Sequence, residues 1–209
     1  MDVQRPFAVV APTLDADVLM RLARAEGAMF TAGQLQRLIP NRSVDGVRRT
    51  LERLTEQGVV LATPAGHAVV YRLNVDHVAA PAIRLLASQP TELLHRIEQD
   101  IAQWPVAPLY AAVFGSWARG EATTTSDIDV LVVVTATVDP DDVDPSARAL
   151  QGRIRAWTGN EAQALVLTEG QVRHDPALRP VLENAAREGR SVAGDERWLR
   201  RALGLVAAA

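Results

Sequence analysis

The stretch FGSWARGEATTTSDIDVLVVV, residues 114–134, holds side chains whose types and spacing suit phosphoryl chemistry assisted by a metal. Asp127 and Asp129 stand one residue apart at the head of an apolar run, residues 130–134. The run is rich in β-branched residues and bounded by polar ones, which predicts a buried strand. Side chains two apart on a strand point to one face, so the two carboxylates lie side by side. Like charges so placed are costly unless a cation neutralises them, and hard oxygen ligands suit Mg²⁺. Upstream, residues 110–114 read as a second strand that runs into Gly115 and Ser116. A glycine there lets backbone N–H groups approach a phosphate, and a serine adds a hydroxyl donor. A phosphate cradle and a carboxylate pair in one segment predict metal-assisted phosphoryl or nucleotidyl transfer.

The elements that must position these residues follow from hydrophobic period and punctuation. Residues 92–104 predict a helix capped by Thr91, with Leu93, Leu94, Ile97 and Ile101 inward, set off from the first strand by Pro105 and Pro108. After Val134 the acidic segment DPDDVD reads as a solvated loop, so Asp139, Asp141, Asp142 and Asp144 are not taken as ligands. A helix starts at Pro145, covers 147–157 and closes at Gly159; residues 162–168 form a third strand. Two further helices, 177–188 and 196–206, are separated by Gly189 and Gly194.

The motif resembles the nucleotidyltransferase superfamily of DNA polymerase β, in its small minimal branch. The family pattern of Gly-Ser, then Ala-Arg-Gly, then Ser-Asp-x-Asp is met by Gly115, Ser116, Ala118, Arg119, Gly120, Ser126, Asp127 and Asp129. The resemblance implies that Asp127 and Asp129 are catalytic and hold Mg²⁺, and that Gly115, Ser116, Arg119 and Ser126 bind the nucleoside triphosphate. Active members usually carry a third carboxylate on the strand after the helix. By position that residue is Gln163, whose neutral amide can neither accept a proton nor supply the missing charge. Glu161, two residues earlier on the same face, is the available substitute.

The first eighty residues read as a second module. Residues 13–26 predict a helix with Leu14, Val18, Leu19, Leu22 and Ala25 inward, closed by Gly27. Residues 31–38 predict a short helix with Leu35, Leu38 and Ile39 inward, stopped by Pro40. Ser43 caps a third helix whose Val44, Val47, Leu51 and Leu54 share a face; it ends near Gly58. Residues 59–63 and 68–73 are strand-like and joined by the turn Pro64-Ala65-Gly66-His67. This order resembles the winged helix-turn-helix of bacterial regulators, which implies a third helix in the DNA major groove and a wing on the flanking backbone. On that resemblance Arg42, Ser43, Arg48, Arg49, Arg53 and His67 contact duplex DNA. The segment 35–53 carries five arginines against Asp45 and Glu52, which concentrates positive charge there.

Composition bounds the remainder. All 22 basic residues are arginine, so Schiff-base chemistry and a P-loop lysine are excluded. The absence of cysteine excludes disulfides, thiolate nucleophiles and cysteine-held zinc. His67, His77, His95 and His174 form no ligand-spaced cluster. No apolar run spans a membrane and no leader precedes the first helix, so a cytoplasmic location is expected.

The expected architecture is α+β: a winged helix-turn-helix over 1–89, a short apolar helix within 75–90, and a small mixed-sheet transferase domain with C-terminal helices over 90–209. Two functions remain open. One is a DNA-binding regulator, homodimeric on a two-fold site, whose transferase domain binds Mg²⁺ and nucleotide. The other is an active Mg²⁺-dependent nucleotidyltransferase acting on a macromolecular acceptor, a reading that includes a resemblance to the minimal-transferase antitoxins that act on a partner toxin.

Overall fold

The structure, a computed structural model, describes residues 2, 5–25, 27–39 and 41–205. The chain divides into two compact units, Arg5–Pro90 and the chain from Thr91 on. Each contains its own small sheet, and the fold is a mixed α+β one. No described helix is long and apolar enough to cross a membrane.

In the first unit a 3₁₀ turn, Pro6–Val9, precedes α1 (Leu14–Arg24), α2 (Ala32–Leu38) and α3 (Val44–Glu56). A hairpin of β1 (Val60–Ala65) and β2 (Ala68–Leu73) follows, then α4 (Ala80–Ala87). Thr31 caps α2 reciprocally with Gln34, and the Ser43 hydroxyl accepts the Gly46 amide at 3.1 Å to cap α3. Val47, Thr50, Leu51 and Leu54 follow the i, i+3, i+4, i+7 period of α3 into a core with Val18, Leu22, Leu35, Val60 and Tyr71. The hairpin is antiparallel, from Val60 opposite Leu73 to Ala65 opposite Ala68, and Phe30 bridges Tyr71 from its other side. Beyond Leu61 the hairpin leaves the core: Ala62–Ala65 and Ala68–Val69 are exposed on both faces.

Several local expectations shift. α1 stops at Arg24, while Glu26 and the proposed stop Pro40 lie outside the described residues. Leu38 and Val44 are 44% and 38% exposed rather than inward, because they fall at helix ends, where the apolar stripe has turned away from the core. The strand runs through Pro64 and Ala65, since an outer hairpin edge needs no N–H from proline.

In the second unit α5 (Gln89–Ile101) begins two residues before the expected cap at Thr91. Pro90 sits in the first helical turn, where an absent N–H costs nothing. Then come β3 (Tyr110–Phe114), α6 (Gly115–Arg119), β4 (Ile128–Val134), α7 (Pro140–Thr158), β5 (Ala162–Thr168), α8 (Glu169–His174), α9 (Arg179–Glu188), β6 (Arg190–Gly194) and α10 (Trp198–Ala202). The sheet order is β5-β4-β3-β6, with β4 and β5 parallel and the other pairs antiparallel. Alternation on β4 splits the core. Ile128, Val130, Val132 and Val134 pack with α5 and α7, while Leu131 and Val133 face α8, α9 and α10.

Three elements differ from expectation. The acidic segment is helical: the Asp139 carboxylate accepts the Asp141 amide at 3.0 Å, Pro140 opens the helix, and exposed Pro145 is carried inside α7. Water can satisfy the Asp141 carbonyl that Pro145 leaves without its helical donor. The residues between Gly189 and Gly194 form the edge strand β6 rather than a helix break. The last helix ends at Ala202, and its expected end at Val206 lies outside the described residues.

Gly194 explains how β6 ends. Its φ is +76°, and a Cβ there would collide with the Leu109 carbonyl. Gly194→Ala is therefore expected to destabilise the second unit by about 2–4 kcal/mol, from steric overlap and left-handed strain. Chemical denaturation of wild type and variant measures the difference; unchanged stability would show that β6 is not held here.

Candidate functional site

β3 pairs with β4 so that Phe114 lies opposite Asp129. The chain then turns sharply at Gly115, with φ +75°. A Cβ at Gly115 would collide with Asp129 Oδ2, so the bare backbone of the turn lies directly against that carboxylate. Asp129 is half-buried on the strand, whereas Asp127, two residues before it, is exposed on the same face. Burial, and secondly the charge of Asp127, push the Asp129 carboxyl above the ordinary carboxylate range; Arg119 opposes this only in part.

Ser116 is half-buried in the first turn of α6, directly after Gly115. Arg119, at the end of α6, is held elsewhere. Its Nε donates to Glu121 at 2.7 Å and its Nη1 to Glu188 on α9 at 2.6 Å. Ser126 turns its hydroxyl back into the loop, accepting the Thr123 amide at 2.9 Å.

That loop is anchored by Asn160, a residue the motif did not point to. Asn160 is 3% exposed, and its Nδ2 donates to the carbonyls of Ser126 and Thr123 at 2.9 and 3.1 Å. A polar residue directly after the helix-closing Gly159 is the one sequence signal that could have marked it. Glu188, the other missed partner, meets Arg119 only through the fold.

Gln163 stands opposite Asp129 in the parallel register of β4 and β5. Glu161 lies two residues earlier and is exposed; its carboxylate pairs with Arg155 Nη1 at 3.2 Å. Among the described residues no group of three or more His, Asp or Glu is gathered to hold a metal. A pair of carboxylates under a glycine turn nevertheless suits a hard divalent cation, provided phosphate oxygens and water complete its shell. Asp127 and Asp129 would hold it.

The basic residues of the first unit are partly neutralised from within. Arg53 pairs with Asp15 of α1, and Arg42 lies 3.8 Å from Asp17, which is buried and held by Arg5 at 2.7 Å. Arg48 pairs with Asp45 at 3.0 Å. Arg49 is exposed and has no ion-pair partner among the described residues. Ser43 is engaged as the α3 cap, and His67 is exposed at the hairpin turn.

Residues 95–166, about a third of the chain, match the nucleotidyltransferase domain family. Solved structures that are similar include two toxin–antitoxin proteins. A toxin–antitoxin crystallised with AMP-PNP is 15% identical, with 55% of this chain and 81% of that one covered and a TM-score of 0.38. A mutant of the toxin–antitoxin MntA-HpeT is 12% identical, with 54% and 85% covered and a TM-score of 0.40. No curated protein matches the chain.

The raised Asp129 carboxyl gives a pH signature. Its protonated form is favoured by folding, so its ionisation costs stability as pH rises through the elevated value, and the cost vanishes in acid. Asp129→Asn is expected to raise Tm by a few degrees at pH 7, and the gain should disappear below the ordinary carboxylate range. Calorimetric scans across pH check this; a gain independent of pH would mean that the carboxylate is not strained.

Proposed function

We propose that the second unit binds a nucleoside triphosphate with Mg²⁺ at Asp127 and Asp129, and that the first unit is a winged helix-turn-helix that brings it to duplex DNA as a regulator. The observation that carries the nucleotide reading is the Asp129 carboxylate lying beneath the bare backbone of Gly115 with Asp127 beside it. The missing side chain at Gly115 lets Asp129 approach the turn, and the backbone N–H groups of the turn with the Ser116 hydroxyl are the donors offered to a phosphate chain. Mg²⁺, when bound, supplies the positive charge that two adjacent carboxylates lack and screens the phosphates. Arg119 pairs with Glu121 and Glu188 and would have to exchange one of them to reach a phosphate.

The DNA reading is supported by the order of three helices and a hairpin, and by a hairpin tip exposed on both faces as a wing requires. Its boundary is placed at 89/90, its location in the cytoplasm, and its working form as a homodimer on a two-fold site.

A second reading, an active transferase acting on a macromolecular acceptor such as a partner toxin, is favoured by the intact carboxylate pair and the family match over 95–166. It is opposed by Gln163, whose amide cannot take the proton of an attacking hydroxyl.

Titration calorimetry with ATP and GTP, with and without Mg²⁺, is expected to show metal-dependent binding that Asp127→Ala abolishes; equal binding by the variant would sink the site assignment. Incubation with labelled NTP and cell extract separates the two readings. Gln163→Asp should raise transfer to a macromolecule above a weak wild-type level, and vigorous wild-type transfer would establish the enzyme.

DNA binding is tested by anisotropy at two salt concentrations. Each arginine on a phosphate contributes about 0.9 to the salt slope. Arg49→Ala should lower the slope by about that amount, and Arg53→Ala by less because Asp15 already holds Arg53. No affinity for duplex in wild type would make the first unit a protein-interaction module.

A further inference from the structure

Asp127 and Asp129 are held by different means. Asp129 lies within β4, between Phe114 of β3 and Gln163 of β5, so two ladders fix it. Asp127 precedes β4, is exposed, and follows the loop 120–126. What fixes Asp127 is the segment after α7. The peptide before it ends in the Ser126 carbonyl, which accepts Asn160 Nδ2 at 2.9 Å. The peptide after it presents the Ile128 amide, which donates to the Glu161 carbonyl at 2.9 Å. Both peptide planes flanking Asp127 are therefore tied to two consecutive residues, Asn160 and Glu161.

The Asn160 side chain is buried and its orientation is set by chemistry. Its Nδ2 faces two carbonyl oxygens, of Ser126 and Thr123, and only an amide N–H₂ can donate to both. Its own backbone amide donates to Thr158 Oγ1 at 3.1 Å, and that hydroxyl donates to the Ile154 carbonyl at 2.7 Å. The anchor thus runs back into the buried last turns of α7.

We propose that Asn160 is a positioning residue for the metal-binding carboxylate of Asp127, an inference that rests on the Mg²⁺-nucleotide reading of the site. Asn160 acts on Asp127 through the backbone of the loop, by its bonds to the Ser126 and Thr123 carbonyls. It sets the plane of the Ser126–Asp127 peptide, and so the direction in which the Asp127 side chain leaves the backbone. Without those two N–H donors the loop can rotate about its remaining contacts, and the spacing of Asp127 from Asp129 is no longer fixed.

The test uses the full chain and ATP as probe. Binding is measured by calorimetry in Mg²⁺ and in EDTA, with thermal unfolding followed in parallel, for wild type, Asn160→Ala, Asn160→Ser and Asp127→Ala. Loss of an outer partner of a ligating residue typically weakens metal affinity about 10–100-fold. Asn160→Ala should accordingly weaken ATP binding in Mg²⁺ by at least about tenfold, leave binding in EDTA unchanged, and match Asp127→Ala in sign. Asn160→Ser, which retains a single hydroxyl donor, should fall between, and it decides the matter if Asn160→Ala does not fold. Wild-type Mg²⁺-ATP affinity in folded Asn160 variants, with only Tm reduced, overturns the proposal and leaves Asn160 a stability residue. If wild type itself binds no nucleotide in Mg²⁺ or EDTA, the reading of the site fails and takes this inference with it, an outcome distinct from the last.

Discussion

The constraint on which the second unit depends is a carboxylate placed beneath a backbone that has no room for a Cβ. Asp129 is half-buried against Gly115, and Asp127 adds a second negative charge on the same face. Arg119, the nearby cation, offsets this only in part and is drawn off by Glu121 and Glu188. The strand that carries Asp129 is instead held by apolar contacts on both faces: Ile128, Val130, Val132 and Val134 toward one helical layer, Leu131 and Val133 toward the other. Burial of such side chains is worth about 1.5–3 kcal/mol each, enough for the sheet to carry one strained acid near the start of an interior strand. The site and the core are thus two ends of one strand, and the core stabilises what the site costs.

How much of this could be read from residues alone depends on how local the determining contacts are. β3 and β5 coincide with their expected spans because each is a short apolar run between polar or turn residues. Gly115, Asp127 and Asp129 were legible for the same reason, since strand alternation and a turn residue fix their relation within one segment. β6 was not legible. Arg190–Gly194 contains one buried apolar side chain, Val192, and is a strand only because β3 offers it an edge. α7 misled in the opposite way: Asp139 and Pro140 form a proper helix start, and Pro145 drew attention to a later one.

Site residues failed or escaped on the same principle. Arg119 has the type and spacing of a phosphate ligand, yet its partner Glu188 lies 69 residues away. Asn160 escaped because it acts through carbonyls of a loop 34 and 37 residues before it. In the first unit a helical wheel gathers arginines on α3 but cannot show that Asp15 and Asp17 of α1 reach across to Arg53 and Arg42.

These internal pairings rank the two chemistries of the chain. In the second unit the acids at the candidate site are short of positive charge, so a bound cation gains both ligands and relief of repulsion. In the first unit Arg42, Arg48 and Arg53 already face carboxylates, and a phosphate would have to compete with those. An exposed pair such as Arg48–Asp45 costs little to exchange, about 0–1 kcal/mol. Asp17 is a different case, because it is buried and held by Arg5 through both oxygens, so it keeps its partner when Arg42, 3.8 Å away, turns outward. On the proposed reading, Arg49 meets an anionic partner at the least cost, Arg48 at a small one, and Arg53 only in competition with Asp15 of α1. On that reading, the charge left unpaired in the second unit is negative, and at α3 of the first unit it is that of Arg49.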